Sequence, residues 1–106
     1  MGEEMNINLD TTYYYIINDD LKMSKGKIAA QVSHVAMMLA ERHHEVGKAV
    51  VLKAPEHVLK DNMNKPGVVF IQDAGFTEVP PGSLTCIGFC KESHEIIPNI
   101  KELKLV

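Results

Sequence analysis

Residues Thr12–Lys53 read TYYYIINDDLKMSKGKIAAQVSHVAMMLAERHHEVGKAVVLK, and two changes of period inside this stretch decide the fold. Thr12–Ile17 is rich in β-branched and aromatic residues and ends at Asn18-Asp19-Asp20, a turn signal, so it reads as a strand. From Lys25 to about His44 the period lengthens. Ile28, Val32, Val35, Ala36 and Leu39 recur at three- and four-residue intervals and form one apolar helical stripe. Ser24 is placed as the N-cap and Gly47 as the stop. Lys48–Lys53 returns to strand through Ala49, Val50, Val51 and Leu52. Strand, helix, strand is the crossover unit of a parallel sheet.

Outward from this unit, Ala54-Pro55 opens a short helix to about Met63, and Pro66-Gly67 breaks it. Val68–Gln72 is apolar on nearly every residue, as a strand covered on both faces is. Asp73 to Gly82 is a loop too short for a helical crossover, so the fourth strand, Ser83–Phe89, is expected to run antiparallel. Glu92–Ile97 reads as a short helix ended at Pro98, and Leu103–Val106 as a last edge strand. The fold class is α/β: a single-domain, three-layer fold with a mixed, mostly parallel four-stranded sheet flanked by helices. Residues 1–11, dominated by acids and amides, read as a flexible lead-in to a domain over 12–106.

Composition narrows the function. The chain has 106 residues, enough for one core but not for two. A formal net charge of −3 excludes nucleic-acid binding by bulk electrostatics, leaving only a local basic cluster. No apolar run approaches the roughly 18 residues of a membrane span, and the acidic, polar N-terminus is no signal peptide. Cys86 and Cys90 lie about 13 Å apart in one strand at roughly 3.3 Å per residue, too far to bridge. A reducing, cytoplasmic setting is expected. His43 and His44 diverge on a helix and no Cys/His spacing suits a metal, so no metal or other cofactor is expected.

The chemistry concentrates in Lys22-Met23-Ser24-Lys25-Gly26-Lys27. A helix N-terminus carries partial positive charge, and each lysine in the first turn costs about 0.3–1 kcal/mol. Local rules of this kind fail most often at functional sites. An anionic ligand, phosphate above all, resolves the conflict by gathering the lysines and the unpaired N–H groups. The bland reading is a solvated lysine loop. The glycine spacing of a nucleotide-hydrolase phosphate loop is absent. At about 100° per residue, Lys27, Gln31 and His34 fall within roughly 60° of one another, in a polar row running away from the loop. His34 alone reads first as a solvated or structural histidine, with a catalytic role as the alternative. Ser33 points elsewhere, with a hydrogen bond back to the Ala29 carbonyl as its expected use.

Asp73 directly follows the third strand. Ligands of open α/β sheets bind outside the carboxyl ends of parallel strands, which puts Asp73 and the lysine loop at one edge. The following loop adds hydroxyls at Thr77, Ser83 and Thr85. A carboxylate, lysines and hydroxyls converging there can hold an anion and polarise a carbonyl. Asp73-Ala74-Gly75 fits equally a turn whose Asp caps its own backbone.

Together these segments resemble a family. Asn18 to His34, NDDLKMSKGKIAAQVSH, is similar to the signature of the archaeal/eukaryotic-type peptidyl-tRNA hydrolases. Val51-Leu52-Lys53-Ala54-Pro55 resembles its second strand. Ile71-Gln72-Asp73-Ala74-Gly75, Thr77 and Pro81-Gly82-Ser83-Leu84-Thr85 resemble its other signature, with Leu103-Lys104-Leu105 at the close. The resemblance implies metal-independent hydrolysis of the ester between a peptide and tRNA, which recycles tRNA. It implies tRNA as partner, met through the local basic loop, and a homodimer. By position it assigns Lys27, Asp73, Thr77 and Thr85 to catalysis, and Lys22, Lys25, Gln31, Ser33, His34 and Ser83 to the surrounding substrate-binding motif. Three departures stand out: a second helix shorter than usual, Val35 in place of a small Ala, and Gly88-Phe89-Cys90 in place of a Gly-Pro ending. A non-catalytic tRNA-binding or protein-interaction adaptor of the same fold, and a small hydrolase of another phosphorylated ester, are the competing readings.

Overall fold

The first strand, β1 (Ile7–Asn18), sends alternate side chains to opposite faces of the sheet, as the two-residue period of a strand requires. In a computed structural model, which describes residues 7–75, 78–91 and 96–106, Tyr13, Tyr15 and Ile17 pack with Val35 and Leu39 of helix α1 (Lys25–His43). Ile16, on the other face, packs with Leu59 of α2 (Glu56–Asn62). Two apolar clusters therefore sandwich the sheet, one under each helix.

Strands β2 (Val46–Ala54), β3 (Val69–Gln72), β4 (Leu84–Cys90) and β5 (Lys104–Leu105) complete a five-stranded sheet in the order β3-β4-β1-β2-β5. The expectation of four strands, mostly parallel, is corrected. Among the described residues only β1 and β2 form a parallel pair; β1–β4, β3–β4 and β2–β5 are antiparallel. The crossover pattern did fix strand direction, since β3 runs the same way as β1. It did not fix adjacency, because the chain turns back after β3 and inserts β4 between them. All seven residues of β4 are consequently buried. β3, expected to be covered on both faces, is an edge strand with Phe70 and Ile71 only half-buried.

Boundaries differ where backbone pairing, not apolar burial, holds the chain. β1 begins at Ile7, five residues before its apolar pattern. Ile7 and Asn8 pair with Val46 and Gly47, and Glu45 accepts hydrogen bonds from Asn8 (3.2 Å) and Thr11 (2.8 Å). Gly47 is thus a strand residue and not the helix stop. α1 instead ends through His44, in the left-handed region at φ 54°, whose N–H donates to the Ala40 carbonyl at 2.8 Å. Most of the helix expected over Glu92–Ile97 lies outside the described residues; Ile96 and Ile97 are buried against the α2 face. Among the described residues, no helix is long and apolar enough to cross a membrane.

Gly88 sets how closely α1 approaches the sheet. A β-carbon there would collide with Val35 Cγ1 and crowd Tyr15 and Leu39 at 3.2 and 3.3 Å. Val35 is therefore seated over a glycine. Cys86 lies fully buried in the same layer, and burial pushes its thiol up to about 12, as befits a packing residue and not a nucleophile.

Candidate active site

Two elements bring the site together. α1 starts at the carboxyl end of β1, and the β3–β4 loop starts at the carboxyl end of β3. Because β1 and β3 share a direction, both open on the same edge. Ser24 caps α1 with its hydroxyl, which accepts the Lys27 backbone N–H at 3.3 Å, leaving the first turn to carry Lys25, Gly26 and Lys27.

Across the gap, Lys27 Nζ meets Asp73 Oδ2 at 2.5 Å, and only 9% and 10% of the two side chains is exposed. The Gln31 amide donates to the same oxygen at 3.2 Å. The Gly75 N–H donates to Oδ1 at 2.6 Å. One oxygen of Asp73 thus caps its own turn while the other binds the helix. The Lys27 hydrogen bond, followed by that from Gly75, holds the Asp73 carboxyl below the usual carboxylate range, against the opposing effect of partial burial. Gly75 has φ 84°, and a β-carbon on it would collide with Pro81, so the turn needs glycine.

The base of the loop is closed by two backbone bonds, Asp73 N–H to the Ser83 carbonyl (2.8 Å) and Gly82 N–H to the Asp73 carbonyl (2.7 Å). Behind the pair, the buried Thr85 hydroxyl donates to Gln31 Oε1 at 2.6 Å. Lys27, Gln31, Asp73 and Thr85 therefore form one connected chain. Lys27, Gln31 and Asp73 line an open cleft of about 780 Å³, with Gly26, His34 and Glu78 also on its walls. A hollow of about 900 Å³ under Tyr14 and Phe89, on the α2 face, includes none of the expected site residues in its described lining.

The other expected residues are placed less centrally. The ring of His34 is exposed one turn beyond Gln31. Lys22 and Lys25 are exposed at the mouth, with Lys22 in the left-handed region and 3.3 Å from Asp19. Ser33 turns away and donates to the Ala29 carbonyl at 2.8 Å. Ser83 donates its hydroxyl to the Pro80 carbonyl (2.7 Å) and supports Asp73 through its own carbonyl. Thr85 is fully buried and reaches Asp73 only through Gln31. Thr77 lies outside the described residues.

Two contributors escaped the sequence reading. Asn18 was legible only as a turn former, yet it is fully buried, donates to the Leu84 carbonyl (2.9 Å) and Glu56 (3.2 Å), and so welds the end of β1 to the start of β4. Glu78 accepts from the Ser24 N–H (3.2 Å) and hydroxyl (3.0 Å), so the chain itself supplies a carboxylate at the mouth of α1. Its only sequence signal was an acid in the loop after Asp73.

A family model described as "Peptidyl-tRNA hydrolase PTH2" matches residues 11–106. The chain belongs to this family. A peptidyl-tRNA hydrolase of Thermococcus onnurineus is 37% identical over 110 aligned residues, covering 86% of this chain and 93% of the relative. One from Methanococcus maripaludis (strain C7) is 39% identical, with coverages of 86% and 95%. One from Thermoplasma volcanium is 38% identical, with coverages of 79% and 87%. The PTH2 match includes the residues that line the cleft on both sides, from Gly26 to His34 on α1 and from Ile71 to Ala74 with Glu78 opposite.

Proposed function

We propose that this chain hydrolyses the ester linking a peptide to the terminal ribose of tRNA, in the cytoplasm where that substrate arises. The observation that carries the reading is the Lys27–Asp73 ion pair inside the cleft, at the edge where the lysines collect.

Water adds to the ester carbonyl and creates a tetrahedral oxyanion, which fixed positive charge stabilises. Lys27, a cation held in place by Asp73, is the group for that task. Asp73 is a weak base because its carboxyl is held low. Its work is to orient Lys27 and to position the attacking water, with Thr77 proposed to hold the water or the carbonyl. Collapse of the intermediate breaks the bond to the ribose oxygen, which takes up a proton, releasing tRNA and a free peptide carboxylate.

Gln31 and Thr85 act behind the pair. Thr85 has no exposed surface, so its part is to fix the Gln31 amide and not to touch substrate. Lys22 and Lys25 are proposed to grip phosphates near the 3′ end of the tRNA. His34 borders the cleft, where the chain leading to the ester can lie, whereas Ser33 and Ser83 spend their hydroxyls within the protein. A homodimer is retained from the family resemblance and is read by sedimentation equilibrium. The deciding assay offers peptidyl-tRNA and free aminoacyl-tRNA to the purified protein. Release of peptide from the first with sparing of the second is the expected result. Binding without cleavage establishes the adaptor reading instead.

A further inference from the structure

The loop that carries Asp73 is held to α1 at two places. Near its start, Asp73 binds the Lys27 side chain. Further along, Glu78 accepts both the N–H and the hydroxyl hydrogen of Ser24. The Ser24 hydroxyl in turn accepts the backbone N–H of Lys27. A closed ring results: Lys27 side chain, Asp73, the loop to Glu78, Ser24, and back to the Lys27 backbone. Two features single out Glu78 within it. Its φ of 57° is uncommon for a residue with a β-carbon, a conformation that persists where the surroundings impose it. Its carboxylate also sits at the positive end of α1, where negative charge is favoured, beside a first turn that contains no acid of its own.

We infer that Glu78 is a positioning residue for the Lys27–Asp73 pair, its carboxylate clamping the first turn of α1 to the loop that supplies Asp73. This rests on the hydrolase reading above. The clamp fixes the separation of the helix that presents the ammonium from the loop that presents the carboxylate. Without it the ring opens at Ser24, which leaves the bonds of Asp73 itself, to Lys27 and Gln31, to hold the loop against the helix. Catalysis by a preorganised charge is sensitive to that loosening, since a displacement of about 1 Å can cost 10²-fold in rate. Substrate binding through the exposed lysines is not.

The test compares Glu78→Ala with Glu78→Gln, which keeps an acceptor oxygen for Ser24. Glu78→Ala is expected to lower kcat at least tenfold with KM changed less than twofold, and Glu78→Gln to restore most of the loss. A second readout needs no substrate: both variants remove the Glu78 charge, so the Asp73 carboxyl, followed by carbon-13 NMR, titrates at higher pH in Glu78→Ala than in Glu78→Gln as the hold of Lys27 on it weakens. Among the described residues, the titratable groups that share the cleft with Asp73 are Lys27 and His34 on α1 and Glu78 on its own loop. An unmoved kcat, an effect confined to KM, or an Asp73 titration that is the same in Glu78→Ala and Glu78→Gln overturns the inference. Wild-type protein unable to cleave peptidyl-tRNA removes the hydrolase reading instead, and the NMR titration then decides the clamp alone.

Discussion

The hydroxyl of Thr85 determines which end of the Gln31 side chain faces Asp73. A carboxylate accepts hydrogen bonds and cannot donate them, so Asp73 requires the amide nitrogen. Gln31 then presents its oxygen backwards, and Thr85 supplies the hydrogen at 2.6 Å. Both residues are almost wholly buried, at 2% and 0% exposure, so neither bond is replaced readily by water.

Thr85→Val tests this relationship. It keeps the shape and leaves the Gln31 oxygen buried without its donor, at a cost of about 1–3 kcal/mol. For a domain of this size the melting temperature falls by about 4–8 °C per kcal/mol. Turnover falls with it while KM stays, because Thr85 does not reach the cleft. Thr85→Ser restores the donor and the turnover. Thermal unfolding and steady-state kinetics on the three proteins provide the check.

The ion pair gives a pH dependence of defined sign. Asp73 is held low, first by Lys27 and then by the Gly75 N–H. Its stabilising contribution is therefore complete above the unfolded Asp value of about 3.9 and disappears as pH falls through the lower folded value. The NMR titration of Asp73 is expected below that of an exposed aspartate, and Lys27→Met raises it. A midpoint at or above the ordinary value contradicts the arrangement.

Lys25 is exposed at the mouth of the cleft and is proposed to meet phosphate. Lys25→Ala should raise KM and leave kcat alone. It should also reduce the slope of log affinity against log salt by roughly 0.7, the value for one contact to a single strand. An unchanged slope moves the tRNA contact elsewhere.

Packing offers a test independent of function. Gly88→Ala drives a methyl group into Val35, and overpacking of this kind costs about 1–3 kcal/mol. Val35→Ala removes the obstacle. The double variant should therefore be more stable than the sum of the two single losses predicts, a coupling measured by denaturant unfolding. Additive losses disprove the contact.

The sequence revealed what depends on local period and strand direction, and missed what depends on pairing at a distance. The strand–helix–strand pattern placed Lys27 and Asp73 on one edge, and helical spacing placed Gln31 on the same helix face as Lys27, because both follow from geometry within an element. Insertion of β4 between β3 and β1 is a choice of neighbour, to which apolar patterning is indifferent. The extension of β1 to Ile7 rests on backbone bonds and on Glu45, with Ile7–Asp10 exposed, so no buried apolar face marks it. The anion expected at the mouth of α1 as a ligand is in part internal, since Glu78 reaches it from a loop whose path no short-range rule describes.

Single-turnover cleavage of peptidyl-tRNA by Lys27→Ala and Asp73→Asn, with folding confirmed by circular dichroism, tests the central claim most directly. Removing one preorganised donor to an oxyanion typically lowers the chemical step by about 10²–10³. Losses of that order in Lys27→Ala, and of similar size in Asp73→Asn, are expected while both proteins still bind tRNA. Cleavage near the wild-type rate in both would show that the pair is not the reactive centre.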